Sequence, residues 1–485
     1  MSLSDLLVNL KVILPLTALI AWSCVLLLID LLIPEGRKGW TAILAALGLL
    51  LSIALFIILG NQATTGFNGM VIHDGFSTFL NVLILASGLA GIALAYDYLK
   101  RMGIERGEYY SLLLFSISGM MLMAQANDLI VVFLALELLS IPLYVLAGFA
   151  RPKIESEEAS LKYFLIGAFS GSFEVFGIAL VFGASGSTNL STIFSAISSK
   201  AVDLPLLTVG AALILVGLGF KVAAVPFHMW TPDVYHGAPS AVTGFMSVGA
   251  KVGGIAALLR IFISAFPSLS PDITTVLWAI SAITMIFGNV VAIAQTNIKR
   301  MLAYSSIANT GYILMAMVPY GNASVSSGTI SAGLFYLVAY AFMTLGAWAV
   351  VITLEGPDGK GLLLDDYAGL GRKYPLLAAS MAIFMLSFVG VPPTLGFMGK
   401  FYLFRTVIMG GYLGLALIGV LTTLISAYFY LRIVVIMYMR EGQPEARTEF
   451  WTQFTAVASA ILVIVLTLIA QPLLNLANRA LMLNF

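Results

Sequence analysis

The side chains able to do chemistry in this 485-residue chain are charged groups placed inside long apolar stretches. Two are acids, Glu137 and Glu174, and the bases are Lys162, Lys221, Lys251, Arg260, Lys400, Arg405 and Arg432. A charge at the centre of a membrane-spanning helix costs roughly 2.5–3.5 kcal/mol on insertion scales. Amines and carboxyls kept at that depth therefore point to handling of protons or ions. Lys11 and the acids Asp30, Asp97, Glu157 and Glu158 sit in end turns of the same stretches and are set aside.

Lys221 stands out among them. The stretch 209–239 places it between Gly217, Gly219 and Pro226, then runs on through His228, Trp230, Pro232, Asp233 and Tyr235. Two glycines weaken the turn before the lysine, and Pro226 lacks an N–H and clashes with the Val222 carbonyl. Broken backbone at membrane depth survives only where protein or a wet cavity covers it. The pattern predicts a buried, partly hydrated polar site inside a membrane bundle.

Glu137 lies nine residues past Asp128, hence roughly 13 Å into its span at 1.5 Å per residue. Such a carboxyl either ties two helices together or, balanced between burial and a nearby ammonium, gains and loses a proton. Lys251 is roughly 18 Å into its span, among Gly249, Ala250, Gly253 and Gly254. Those small residues permit close helix packing, but they do not explain the lysine. Lys400 ends the segment 390–400, rich in glycine and proline, and repeats the Lys221 pattern. Lys162 stands one turn beyond Glu158, a spacing that also suits an ordinary solvated pair. Arg260, Arg405 and Arg432 are near enough to span ends to snorkel. Glu174 has no partner visible in the sequence. His228 and His236 flank Trp230 after the span that holds Lys221, where they could pass protons toward the cytoplasm or sit beside an interfacial tryptophan anchor.

The elements that must position these groups follow from composition. Hydrophobic residues make up 60% of the chain and charged ones 10%, with mean hydropathy +1.02, against about 25% charged in soluble proteins. Most of the chain must sit in lipid, and a net charge of +1 gives nucleic acid nothing to bind. One cysteine, Cys24, and three histidines exclude four-cysteine clusters and intrachain disulfides, and a bis-histidine haem would need two of the three histidines at matched depth. The first apolar run, Leu6–Ile33, is too long for the core of a signal peptide. At about 20 residues per crossing, the fold class is all-α integral membrane with about 14 transmembrane helices. They fall near 6–32, 40–60, 76–99, 109–125, 128–149, 157–184, 205–230, 238–264, 273–295, 300–318, 329–354, 374–409, 411–439 and 450–475. The twelfth is too long for one straight crossing and is broken by Pro392 and Pro393. Lysines and arginines, Lys299 and Arg300 among them, collect in the loops after odd-numbered spans, which the positive-inside rule makes cytoplasmic, with both termini outside.

Motifs for a dinucleotide, a phosphate loop, a nucleophile elbow and a His/Glu metal pair are missing. What is present, Leu136-Glu137-Leu138-Leu139-Ser140-Ile141-Pro142, the Glu158 to Tyr163 motif with Lys162, Gly217 to His228 around Lys221, Trp230 to Tyr235, Gln295 to Arg300 with Tyr304-Ser305-Ser306, and Gly396 to Phe401 around Lys400, resembles the antiporter-like subunits of proton-pumping NADH:quinone oxidoreductase, respiratory complex I. The likeness is strongest to its chain N and covers nearly the whole length.

That resemblance implies two inverted five-helix repeats, each with a discontinuous helix. The organisation would be N-terminal helices 1–3 (1–108), a first repeat (109–264), a second inverted repeat (273–440) and a last helix (450–485). It implies that Glu137 pairs with and modulates Lys221, that Lys162 and Lys251 continue a buried proton-transfer chain, and that Lys400 is its terminal site, with His228 a weaker candidate. Glu174 falls outside the family pattern. No cofactor would be bound by this chain. NADH, FMN, iron–sulfur clusters and quinone would belong to other subunits, and the partners would be further membrane-arm chains, including neighbouring antiporter-like ones, and the lipid bilayer. The expected location is the bacterial inner membrane. A subunit of an Mrp-type cation/proton antiporter and a non-conducting membrane scaffold are the alternatives.

Overall fold

Long apolar segments have no water to satisfy their backbone in lipid, so they close their hydrogen bonds internally as helices. The computed structural model describes residues 3–60, 63–322, 324–480 and 482. Three helices come first, α1 (Leu3–Leu32), α2 (Gly39–Leu59) and α3 (Gly75–Arg101), with a two-stranded hairpin, β1 (Thr64–Gly66) and β2 (Val71–His73), between the last two. The middle of the chain holds α4 (Glu108–Gln125), α5 (Leu129–Ala147), α6 (Ile154–Ser185), the short α7 (Leu190–Ser198), α8 (Leu204–Lys221), α9 (Trp230–Gly237) and α10 (Ser240–Ser264). There follow α11 (Ser270–Ile293), α12 (Ile298–Met317), α13 (Ser326–Leu354), α14 (Leu370–Lys373), α15 (Pro375–Val389), α16 (Leu395–Met409), α17 (Leu413–Met439), α18 (Phe450–Leu468) and α19 (Ala470–Arg479).

Among the described residues, 11 helices are long and apolar enough to cross a membrane. The other expected spans coincide with α4, with α12 and with the pair α15–α16, whose crossing rests on the sequence pattern. Local signals set the boundaries. Asp128, Asp203 and Asn297 accept hydrogen bonds from the first turns of α5, α8 and α12, satisfying amides that have no partner within the helix. The hairpin and α7 were not expected from the spans, and the last expected span, 450–475, divides into α18 and α19.

Burial is uneven in a way that matters for the site. The most apolar windows of α10 and α13 are 94% buried, whereas those of α1, α2 and α18 are 33% buried and present large apolar side chains outward. The helix carrying Lys251 is thus one of the two innermost, and its small residues are what let it be so. Gly249 and Gly253 lie against Met120 of α4, and a Cβ on Gly254 would come within 2.7 Å of Val222.

One expectation fails here. Arg260 does not snorkel: it is 1% exposed, donates to both carboxylate oxygens of Asp74 at 2.9 Å each, and donates to the Ala124 carbonyl. Asp74 also caps α3 through the Ser77 amide at 2.8 Å. A guanidinium this deep inside the bundle needs a planar, doubly bonded counter-charge, and this pairing supplies it.

Candidate functional site

Both expected helix breaks are present, and each has a lysine at it. α8 stops at Lys221, the chain turns through residues 222–229, and α9 resumes at Trp230. In the second half, α15 stops at Val389 with Gly390 in the left-handed region at φ 87°, a conformation that suits glycine, and α16 begins at Leu395. Lysine is drawn to such ends because the carbonyls of a helix C-terminus carry partial negative charge. Lys221 is itself the last residue of α8, and Lys400 Nζ donates to the last carbonyls of α15, Phe388 at 2.8 Å and Val389 at 3.3 Å.

The freed backbone of the first break is satisfied by the other half of the molecule. Thr310 Oγ1 on α12 donates to the Val222 carbonyl at 2.6 Å, and the Val225 amide donates to Thr284 Oγ1 on α11 at 2.9 Å.

The three deep lysines are all buried, and among the described residues none of them makes an ion pair. Their partners are neutral. Lys221 Nζ donates to Ser140 Oγ at 2.8 Å and Tyr163 Oη at 3.1 Å. Lys251 Nζ donates to Ser306 Oγ at 2.6 Å and to the Ser306 carbonyl, and lies 5.1 Å from the centre of the Tyr340 ring. Lys400 Nζ also reaches Thr423 Oγ1 at 3.4 Å and lies 4.5 Å from the centre of the Tyr312 ring. Hydroxyls, carbonyls and ring faces hold an ammonium without fixing its charge as a carboxylate would.

A single polar helix joins them. From α12, Thr310 ties Ser306 to the Val222 carbonyl beside Lys221. Ser306 meets Lys251 and Tyr340. Ser305 meets Tyr430, Asn309 meets Tyr336, and Tyr312 accepts from Thr423, which accepts from Lys400. Spacing four recurs on both helices involved, Ser305 with Asn309 and Ser306 with Thr310 on α12 and Tyr336 with Tyr340 on α13, which stacks each pair on one face of its own helix. That spacing was readable in the sequence; apart from Ser305 and Ser306 these residues were not singled out there.

The remaining candidates lie around this line. Glu137 on α5 is half-buried and makes no direct ion pair with Lys221, but it stands three residues before Ser140, whose hydroxyl accepts from that lysine. Lys162 is not in the buried line: its side chain is 40% exposed and held by Glu158 at 2.7 Å and Asp233 at 2.8 Å. Arg300 completes that cluster through Asp233. His228 is buried against the Phe287 ring at 4.6 Å, with no hydrogen bond to Lys221. His236 belongs to α9 rather than to a loop and is half-buried. Trp230 is no interfacial anchor. It is buried, stacks on Tyr163 at 4.5 Å and donates to the Phe220 carbonyl at 3.0 Å. Sequence reading also counted Lys299 as a loop base, whereas it is buried with Nζ on the Ala238 carbonyl at 2.8 Å.

The family model described as NADH:quinone oxidoreductase/Mrp antiporter, transmembrane, matches residues 126–426, which span both breaks and all three deep lysines. The chain belongs to this family. Its curated relatives include NADH-quinone oxidoreductase subunit N of Chloroflexus aggregans, 46% identical over 98% of this chain and 97% of that protein. A second, from Trichlorobacter lovleyi with the same name, is 44% identical over 94% of this chain and 92% of that protein. Among solved structures, a chain of respiratory complex I from Thermus thermophilus superposes with TM-score 0.82 at 34% identity, covering 96% of this chain and 99% of that one. A chain of the Mrp complex from Dietzia reaches TM-score 0.85 at 20% identity, a likeness of fold. Like other members of the antiporter family, the chain is a multi-pass integral membrane protein.

Proposed function

We propose that the chain is the proton-translocating membrane-arm subunit, chain N, of an NADH:quinone oxidoreductase, moving protons through its buried Glu/Lys chain under the drive of quinone reduction in other subunits. The observation that carries this reading is the line of Lys221, Lys251 and Lys400, all buried on neutral partners and joined through α12. The names of the 39–46% identical relatives support the choice of complex.

Within that reading Glu137 modulates Lys221, Lys251 passes the proton on and Lys400 is the terminal site. Lys162, clamped beside Asp233 where a proton could enter, and His228 are secondary. The two halves, 109–264 and 273–440, act as inverted repeats after the N-terminal helices 1–108, with 450–485 closing the bundle, and paired broken helices are the pattern that marks a transporter's site. The chain holds no redox centre and binds no cofactor. NADH, FMN, iron–sulfur clusters and quinone sit in the wider complex, and the partners are other membrane-arm subunits, neighbouring antiporter-like chains and the bilayer. The location is the bacterial inner membrane with both termini on the outer side.

An opposite charge moving within about 4–6 Å of an ionisable group changes the cost of its charging by about 1.4–4 kcal/mol. Moving one charge through 100 mV requires about 2.3 kcal/mol. A shift of Glu137 relative to Lys221 is therefore of adequate size to drive a transfer.

Purification in mild detergent tests the assignment. Chain N predicts co-purification with NADH-oxidising subunits and NADH:quinone activity. Recovery with cation/proton antiporter subunits alone would replace it with the Mrp-type reading, which has likeness of fold behind it. A scaffold predicts that charge-removing substitutions act only through assembly.

A further inference from the structure

Glu174 is a buried ionisable group that the proton line leaves unused. It lies on α6, is 0% exposed, and neither carboxyl oxygen has a hydrogen-bond partner among the described residues. Its position is built by glycines. A Cβ on Gly217 of α8 would come within 2.6 Å of Glu174 Cβ and 2.9 Å of its Oε2, so only glycine leaves the carboxyl its place. On α6 itself, one turn from Glu174, a Cβ on Gly171 would lie 3.3 Å from Glu137 Oε1. The two carboxyls thus lie within about one turn of each other along α6, Glu137 against its Gly171 and Glu174 against Gly217 of α8. Gly217 stands four residues before Lys221, which puts Glu174 about 6 Å from the lysine along α8, toward its Leu204 end.

The surroundings supply one cation. Packed against α6 are α5, α7, α8 and α9. Glu137 reaches Gly171 of α6 from α5, and Lys221 ends α8, the helix whose Gly217 meets Glu174. The residues of α7 include no titratable side chain, and Asp233 and His236 of α9 belong to the opposite end of α6, where Asp233 bonds Lys162 and Gly237 meets the Glu155 carbonyl. A carboxylate in a place without donors needs a counter-charge, whereas a carboxylic acid does not. Two carboxyls that share a single ammonium cannot both be satisfied by it as anions.

We propose that Glu174 is a second proton-exchanging carboxyl of this site, taking the charge of Lys221 in turn with Glu137. When Glu137 is paired with the charged lysine, Glu174 holds a proton. When Glu137 withdraws, Lys221 gives its proton on toward Lys251, Glu174 passes its own proton to the amine so left neutral, giving a carboxylate and an ammonium, and a proton taken up by Glu174 from the entry side as Glu137 returns restores the starting state. Charge is conserved in each step and no electron moves. This rests on the proton-transfer role proposed for Lys221 and Glu137.

The test uses the assembled enzyme in membrane vesicles, with Glu174→Gln, Glu174→Asp, Glu137→Ala and Lys221→Ala, reading proton pumping coupled to NADH:quinone turnover as a function of pH. Glutamine keeps the size of the side chain and loses the proton; aspartate shortens it and keeps the proton. The expected result is that Glu174→Gln lowers pumping at least about tenfold and removes one titrating limb of the pH profile, while Glu174→Asp retains more. A packing role ranks the two the other way, and pumping by Glu174→Gln equal to or above that of Glu174→Asp would overturn the proposal. If Glu137→Ala and Lys221→Ala impair pumping while Glu174→Gln leaves it unchanged, the Glu174 role alone fails. If all of them pump normally, the whole reading of the site fails with it.

Discussion

Thr310 donates its hydroxyl to the carbonyl of Val222 at 2.6 Å, joining α12 to the first residue after the end of α8. Lys221 ends that helix, so the bond fixes the lysine's backbone to the helix that also carries the Ser306 partner of Lys251. The coupling between the two lysines is therefore mechanical, through one helix.

Replacing Thr310 with valine keeps the shape and deletes the donor. The buried Val222 carbonyl then loses this partner, a loss of about 1–3 kcal/mol. Thermal unfolding of the assembled complex should shift down modestly, and pumping should fall further than NADH oxidation by the soluble subunits. Pumping unaltered alongside the stability loss would show the strap to be structural only.

Gly254 is the point where α10 passes the break. A methyl there would meet Val222 Cγ1 at 2.7 Å and the Lys221 stem at 3.5 Å. Overpacking of this kind costs about 1–3 kcal/mol and displaces what it touches. Gly254→Ala should weaken pumping severalfold with near-normal assembly, measured by pumping per assembled complex. The same change at Gly414, which has open space beside it, should do nothing.

Arg260 and Asp74 predict a different phenotype. Removing one partner of a buried pair strands the other charge, at about 3–5 kcal/mol. Asp74→Ala or Arg260→Ala should reduce the amount of assembled complex, while the complexes that do assemble pump at a normal rate. A pumping defect in fully assembled enzyme would instead draw this pair into the proton line.

How far the sequence could be read follows from the range of each signal. Helix breaks at Lys221 and before Lys400 are written locally, in glycines and prolines, and both were legible. The depth of Glu137 and Lys251 follows from counting along one helix. Partners are not written locally. Asp74 and Arg260 stand 186 positions apart, and Lys251 and Ser306 stand 55 apart, so Arg260 passed for a snorkelling residue. Lys299 was misplaced for a related reason. It follows the N-cap Asn297 directly and looks like a loop base, until α12 turns it inward onto the Ala238 carbonyl. Trp230 passed for an anchor because its stacking on Tyr163 crosses from α9 to α6. Glu174 was seen but could be given no partner, since the room made for it by Gly217 exists only once α6 and α8 are packed together.

The most direct measurement is proton uptake or release by vesicles containing the fully assembled enzyme in which Lys221 is replaced by alanine, driven by NADH and quinone. If the buried amines hand protons to one another, translocation collapses while the complex remains intact and its soluble subunits still oxidise NADH. Normal translocation by that intact variant would mean that protons cross the membrane somewhere other than along Lys221, Lys251 and Lys400.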